Sequence, residues 1–273
     1  MSELHTNIQD SVKFITSKTD DQPTIGLILG SGLGDFVDEI ENATLIDYSE
    51  IPHFPVSTVE GHAGRLVIGT LSGKKVVAMQ GRFHFYEGYS LQEVTFPVRV
   101  MKGLGVEQII VTNACGGMNP DFQAGDLMII EDHLNLTGSN PLIGPNDREL
   151  GPRFPDMSTA YTPELIDLVE KVAEQEGISL QKGVYASISG PTYMTRAELK
   201  MLRILGSDTV GMSTVPEVIV ARHMNMKTIG VSCITDMAIA EELEPLTHEQ
   251  VVEVANRTKP KFKQLLRSVI EKV

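Results

Sequence analysis

The chain of 273 residues is short of positive charge, with 23 Lys and Arg against 36 Asp and Glu, a net charge of −13. A nucleic-acid groove or an anionic membrane surface needs the reverse, so neither is an expected partner. An anion site here would have to be a local positive pocket in a negative field. Cysteine is nearly absent, and Cys115 and Cys233 have no CxxC partner. That argues against a disulfide framework or a metal site and fits reduced thiols in the cytoplasm. Long hydrophobic runs are missing too: the apolar stretches 25–29 and 127–130 are far too short to cross a bilayer. Residues 1–21 are polar and mixed in charge, unlike a signal peptide. No Ser/Pro-rich linker or low-complexity run divides the chain, so one α/β domain over residues 1–273 is expected.

What the chain does have is a succession of apolar strands that run into glycine-rich or polar turns. Residues 25–29 lead into Gly30, Ser31, Gly32, Leu33 and Gly34. Such a turn can bring backbone N–H groups and the Ser31 hydroxyl around an anion, although it can equally be a simple chain reversal. It is not the dinucleotide fingerprint, because GxGxxG would need glycine where Asp35 stands. Residues 76–79 lead into Gln80, Gly81, Arg82, Phe83, His84, Phe85 and Tyr86. If the chain stays extended, Arg82, His84 and Tyr86 share one face and the two rings the other. A guanidinium fork, an imidazole and a phenol together suit a phosphate with a sugar beside it. Taken alone, the stretch is more often a solvated strand edge.

Helix signals fill the intervals. Ser90 with Glu93, Thr195 with Glu198, Thr214 with Glu217 and Thr247 with Gln250 are spaced as capping boxes. The third places Ser213 where helix N–H groups point outward. Residues 65–71 and 74–79 read as a hairpin around Ser72 and Gly73. Strands are expected over 108–112, 127–130, 184–189, 208–212 and 227–233, the first followed by a turn at Asn113, Ala114, Cys115, Gly116 and Gly117. Residues 51–64 form a long loop of the kind that makes lids, and 132–155 is an excursion able to fold over a site or reach a neighbouring subunit.

In this order, GSGLG (30–34), VEGHAG (59–64), QGRFHFYEGY (80–89), VTNACGG (111–117), GPTYMT (190–195), GMSTVPEV (211–218) and the segment 232–251 resemble the trimeric family of purine nucleoside phosphorylases across nearly the whole chain. The resemblance implies a central twisted mixed β-sheet flanked by helices, a homotrimer, and phosphate-dependent release of a purine base with no cofactor, inorganic phosphate being a co-substrate. It implies that Ser31, Arg82, His84, Ala114 and Ser213 hold phosphate and that His62 closes over the anion. It places Tyr86 and Met212 at the ribose, His248 at the 5′-hydroxyl, Tyr193 by the base, and Phe154 in the neighbouring subunit's site. His248 follows the cap Thr247 at a helix start, where the dipole disfavours imidazolium.

Two positions depart from the family pattern. Met194 stands where a glutamate is usual, and Asp236 where members cleaving inosine and guanosine have asparagine. A 6-oxopurine carries a proton on N1 and an acceptor at O6; a 6-aminopurine has no N1 proton and an N6 donor. An Asp oxygen accepts that donor, and a protonated Asp can donate to N7 as the base leaves, so both departures point to adenosine. The alternatives are an inosine- or guanosine-specific phosphorylase, a methylthioadenosine phosphorylase, or a purine-sensing protein on the same fold.

Overall fold

The computed structural model describes residues 2–56 and 63–273. Strand β1 (Ile25–Leu29) is apolar at every position and buried throughout, as a strand covered on both faces must be. It pairs in parallel with β4 (Lys74–Gln80) and with β5 (Gln108–Gly117). The expected hairpin is present: β3 (Arg65–Leu71) runs antiparallel to β4, and Ser72 and Gly73 both take positive φ, at 49° and 76°, as a two-residue turn requires. Outside them lies β2 (Glu41–Asp47), which is mostly exposed and has no apolar alternation to announce it.

On the other side of β5 the sheet curls. β6 (Leu127–Leu136), β7 (Leu180–Ile188), β8 (Thr209–Gly211) and β9 (Lys227–Met237) continue it in the order β5-β8-β7-β6-β9, and β9 pairs back onto β5. These five strands therefore close a ring, with parallel and antiparallel pairings mixed. Helices α1 (Glu3–Thr16), α2 (Leu91–Gly103), α3 (Pro163–Gln175), α4 (Arg196–Ile204), α5 (Val215–His223) and α6 (His248–Lys272) flank the sheet. Helix α5 is buried almost all round, which its apolar sequence permits. No helix among the described residues is long and apolar enough to cross a membrane.

Several strands outrun their expected ends. β5 continues through Asn113 to Gly117, so what reads as a glycine turn is strand. Glycine is needed there for approach: a Cβ on Gly117 would meet Ile234 Cγ2 at 2.9 Å, and one on Gly116 would lie 3.1 Å from Asp236 Oδ2. β9 likewise runs on to Met237 with a bulge, Cys115 opposing Ile234 but Gly116 opposing Asp236. A bulge re-aims the side chain beyond it, here Asp236.

Candidate active site

The C-terminal ends of β1, β4 and β5, the short β8 and the end of β9 open on a single cavity of about 850 Å³. Of the residues singled out from the sequence, Ser31, Arg82, His84, Tyr86, Ala114, Tyr193, Met194, Met212, Ser213, Asp236 and His248 all line it. His62 lies outside the described residues. Phe154 is 87% exposed, with the Arg153 guanidinium 5.8 Å from its ring, and takes no part in this chain's own cavity.

The polar face does not form in the expected way. β4 ends at Gln80, and residues 85–87 make a 3-10 turn, so Arg82, His84 and Tyr86 do not alternate along an extended strand. The turn stacks His84 on Tyr86, with ring centroids 4.6 Å apart and planes 15° from parallel. Glu87 holds this arrangement: its Oε1 accepts from the His84 backbone N–H at 2.7 Å and lies 3.1 Å from Nδ1. A carboxylate offers only acceptors, so Nδ1 carries a proton there.

Arg82 is anchored from three sides. Its Nε donates to Glu217 Oε1 at 3.0 Å, and its Nη1 donates to the Thr112 carbonyl at 2.6 Å and to Ser213 Oγ at 3.1 Å. Both members of the Arg82–Glu217 pair are buried. The expected capping box of Thr214 with Glu217 is therefore absent, because Glu217 is drawn to the buried guanidinium and Thr214 makes no side-chain cap. Among the described residues, the Glu217 carboxylate faces Arg82 and the Glu87 carboxylate faces His84. The other three boxes form as spaced.

Ser31 is brought in by the turn after β1. The Thr112 hydroxyl accepts from Gly30 N–H at 2.9 Å and donates to the Ile28 carbonyl at 3.0 Å, while a Cβ on Gly30 would lie 2.7 Å from Asn113 Cα. Thr112 and Asn113 of β5 thus tie the glycine turn, Arg82 and the start of α5 together, a role their sequence gives no sign of. At the other end Gly190, at φ +63°, leaves room for the Met212 side chain and for Tyr86, whose Cδ1 would be 3.3 Å from a Cβ there.

Around the far wall, Tyr193, Met194, Val210, Asp236 and Ala238 give an apolar slot with one acid in it. Met194 is only partly buried and also packs against the small cluster of Met118, Leu199 and Val210. Burial pushes the Asp236 carboxyl up to about 6, opposed by the Thr235 hydroxyl 3.0 Å from Oδ1. Burial also raises the Tyr86 phenol, to about 12. His248 is the first residue of α6, capped by Thr247. Glu242 and Glu244, which sequence reasoning passed over, line the mouth beside it. Among the described residues, the one close grouping of metal-ligand atoms, on His5, Asp147 and Glu149, lies outside this cavity.

Comparison with known proteins gives the same reading. A model of the phosphorylase superfamily matches residues 24–271. Purine nucleoside phosphorylase 1 of Bacillus subtilis (strain 168) is 58% identical over 263 residues, covering 96% of this chain and 97% of that protein. The purine nucleoside phosphorylase of Bos taurus is 49% identical over 265 residues, covering 94% and 92%. The crystal structure of Schistosoma mansoni purine nucleoside phosphorylase in complex with adenosine superposes with a TM-score of 0.93 at 43% identity, covering 98% of this chain and 97% of that one. The same enzyme in complex with inosine gives 0.94 at 42%, covering 98% and 96%. The likeness runs along nearly the whole length of the chain, and the chain belongs to the purine nucleoside phosphorylases of the phosphorylase superfamily.

Proposed function

We propose that this cavity carries out phosphorolysis with a base slot that admits 6-aminopurines. The protein is a pentosyltransferase that cleaves purine nucleosides to free base and ribose 1-phosphate. Phosphate attacks the anomeric carbon as the glycosidic bond lengthens, so the ribose becomes oxocarbenium-like and the purine leaves with the bonding pair. No enzyme nucleophile or cofactor is required, and orientation and electrostatics carry the rate. Arg82, His84, Ser31, Ser213 and the Ala114 backbone hold the phosphate in this scheme. Tyr86 and Met212 flank the ribose, and His248 bonds the 5′-hydroxyl. His62 covers the anion, and Phe154 of a neighbouring copy completes the site in a homotrimer; the 87% exposure of Phe154 supports that last role. Free, buried Cys115 and Cys233 support a reducing, cytoplasmic setting.

The observation that carries the base assignment is Asp236, aimed into an apolar slot and held near a pKa of about 6 by burial. As a neutral acid it offers one donor and one acceptor, matching N7 and the N6 amino group of adenine. A 6-oxopurine presents acceptors at both positions and meets only one donor. The related Schistosoma mansoni structures hold adenosine in one case and inosine in the other, which supports a slot open to both base classes. The test compares adenosine, inosine, guanosine and methylthioadenosine with saturating phosphate. Adenosine should be cleaved at a rate comparable with inosine near neutral pH; inosine strongly preferred at every pH would overturn the assignment.

A further inference from the structure

Thr214, next to Ser213 of the cavity wall, has its backbone in a region that β-branched side chains avoid. Its φ is +74° and ψ −54°, and the Val215 N–H donates to the Ser213 carbonyl at 2.8 Å, which closes a γ-turn of the rare, strained hand. Such a conformation persists only where its surroundings over-determine it. Here they do. Thr214 is fully buried, its Oγ1 accepts from Asn113 Nδ2 at 2.9 Å, and Ser187 Oγ donates to the Ser213 carbonyl at 3.1 Å. Ser213 Oγ sits 3.2 Å from Thr214 Oγ1 and accepts from Arg82 Nη1 at 3.1 Å. Asn113 itself is clamped from behind by the glycine turn that carries Ser31, through the close approach at Gly30.

We infer that the Ser213–Thr214–Val215 γ-turn is a strained positioning device, locked by Asn113, that fixes the Ser213 hydroxyl and the start of α5 for the phosphate. Thr214 and Asn113 are positioning residues acting through Ser213, and β5 passes the constraint from the Ser31 turn to the Ser213 turn. The strain gives the device its purpose. A relaxed start to α5 would swing Ser213 away from Arg82, and the donors would have to be gathered when the anion arrives. The lock sets them beforehand, which lowers the reorganisation that binding requires. This inference rests on the cavity being a phosphorolysis site.

The test is steady-state kinetics of three substitutions with phosphate and nucleoside varied separately. Thr214→Val keeps the shape and the branched Cβ but cannot accept from Asn113. It should raise the phosphate KM about tenfold while the nucleoside KM stays within about twofold. Thr214→Ser keeps Oγ1 and should bring the phosphate KM back toward wild type. In a Ser213→Ala background, Thr214→Val should add little further, since its effect passes through that hydroxyl. Asn113→Ala reports the same lock from the donor side and should behave like Thr214→Val. Equal changes in both KM values, no rescue by serine, or full additivity with Ser213→Ala would overturn the device. A wild-type protein that releases base without phosphate would instead overturn the functional reading beneath it, so the two failures are distinguishable.

Discussion

Replacing Asp236 with asparagine should remove one titration from two independent measurements. Burial lifts this carboxyl from 3.8 to about 6, with the Thr235 hydroxyl opposing. A group whose folded pKa is raised contributes stability that is fully present below the unfolded value and is lost as pH rises through the folded value. The wild type therefore sheds this contribution between about pH 4 and pH 7, and above that window it carries the cost of a buried ionised acid. A shift of roughly two units corresponds to about 3 kcal/mol across the whole window, of which about 1.4 kcal/mol falls between pH 5 and pH 8. Denaturant unfolding of wild type and Asp236→Asn at those two pH values should show the variant gaining that amount relative to wild type at the higher pH. The same titration should appear in kcat/KM for inosine. Wild-type activity declines as pH rises through about 6, because the ionised Asp236 faces the O6 and N7 acceptors, while the amide of the variant donates at every pH. Adenosine should decline less steeply, since the carboxylate still accepts from N6. A stability difference that does not move with pH, or an inosine limb unchanged in the variant, would refute the reasoning.

Arg82→Ala and His84→Ala should each cost roughly 1.5 to 3 kcal/mol in kcat/KM for phosphate, with smaller effects on nucleoside KM, read from phosphate saturation curves. Glu217→Gln keeps an oxygen for Arg82 Nε but removes the buried carboxylate charge that faces it. It should lower stability by about 2 kcal/mol and enlarge the phosphate-dependent rise in Tm, since a bound anion restores negative charge beside the guanidinium. Phe154→Ala should leave the unfolding transition nearly unchanged, because the ring is 87% exposed, while raising nucleoside KM; an unchanged KM would show that Phe154 serves no neighbour. Met194→Glu combined with Asp236→Asn should shift the adenosine-to-inosine ratio toward inosine by more than either change alone, measured by competition between the two nucleosides.

Much of the site is legible in the sequence because it is built on strand ends and helix starts, which local chemistry marks. The hairpin at Ser72 and Gly73 and the boxes at Ser90, Thr195 and Thr247 are all set by residues within a few positions of one another. Most of the differences share a cause, a long-range partner that outweighs a local signal. Glu217 is spaced to cap its own helix, yet a guanidinium 135 residues away takes it. Gly116 and Gly117 look like a turn, yet they let β9 and Asp236 approach. Thr112 and Asn113 lie within VTNACGG, but nothing local marks their tying role, because what matters is that β5 runs between the Ser31 turn and the start of α5. The run Arg82 to Tyr86 alternates in sequence, but Glu87 bends it into a 3-10 turn.

The measurement closest to the central claim is base release from adenosine and inosine by purified protein with and without inorganic phosphate, with the sugar product followed by phosphorus NMR. In the proposed scheme the cavity joins a purine slot to a cluster of anion donors, so release should depend on phosphate and each equivalent of base should appear with one of ribose 1-phosphate. Base release at the same rate without phosphate, with free ribose as the product, would contradict it.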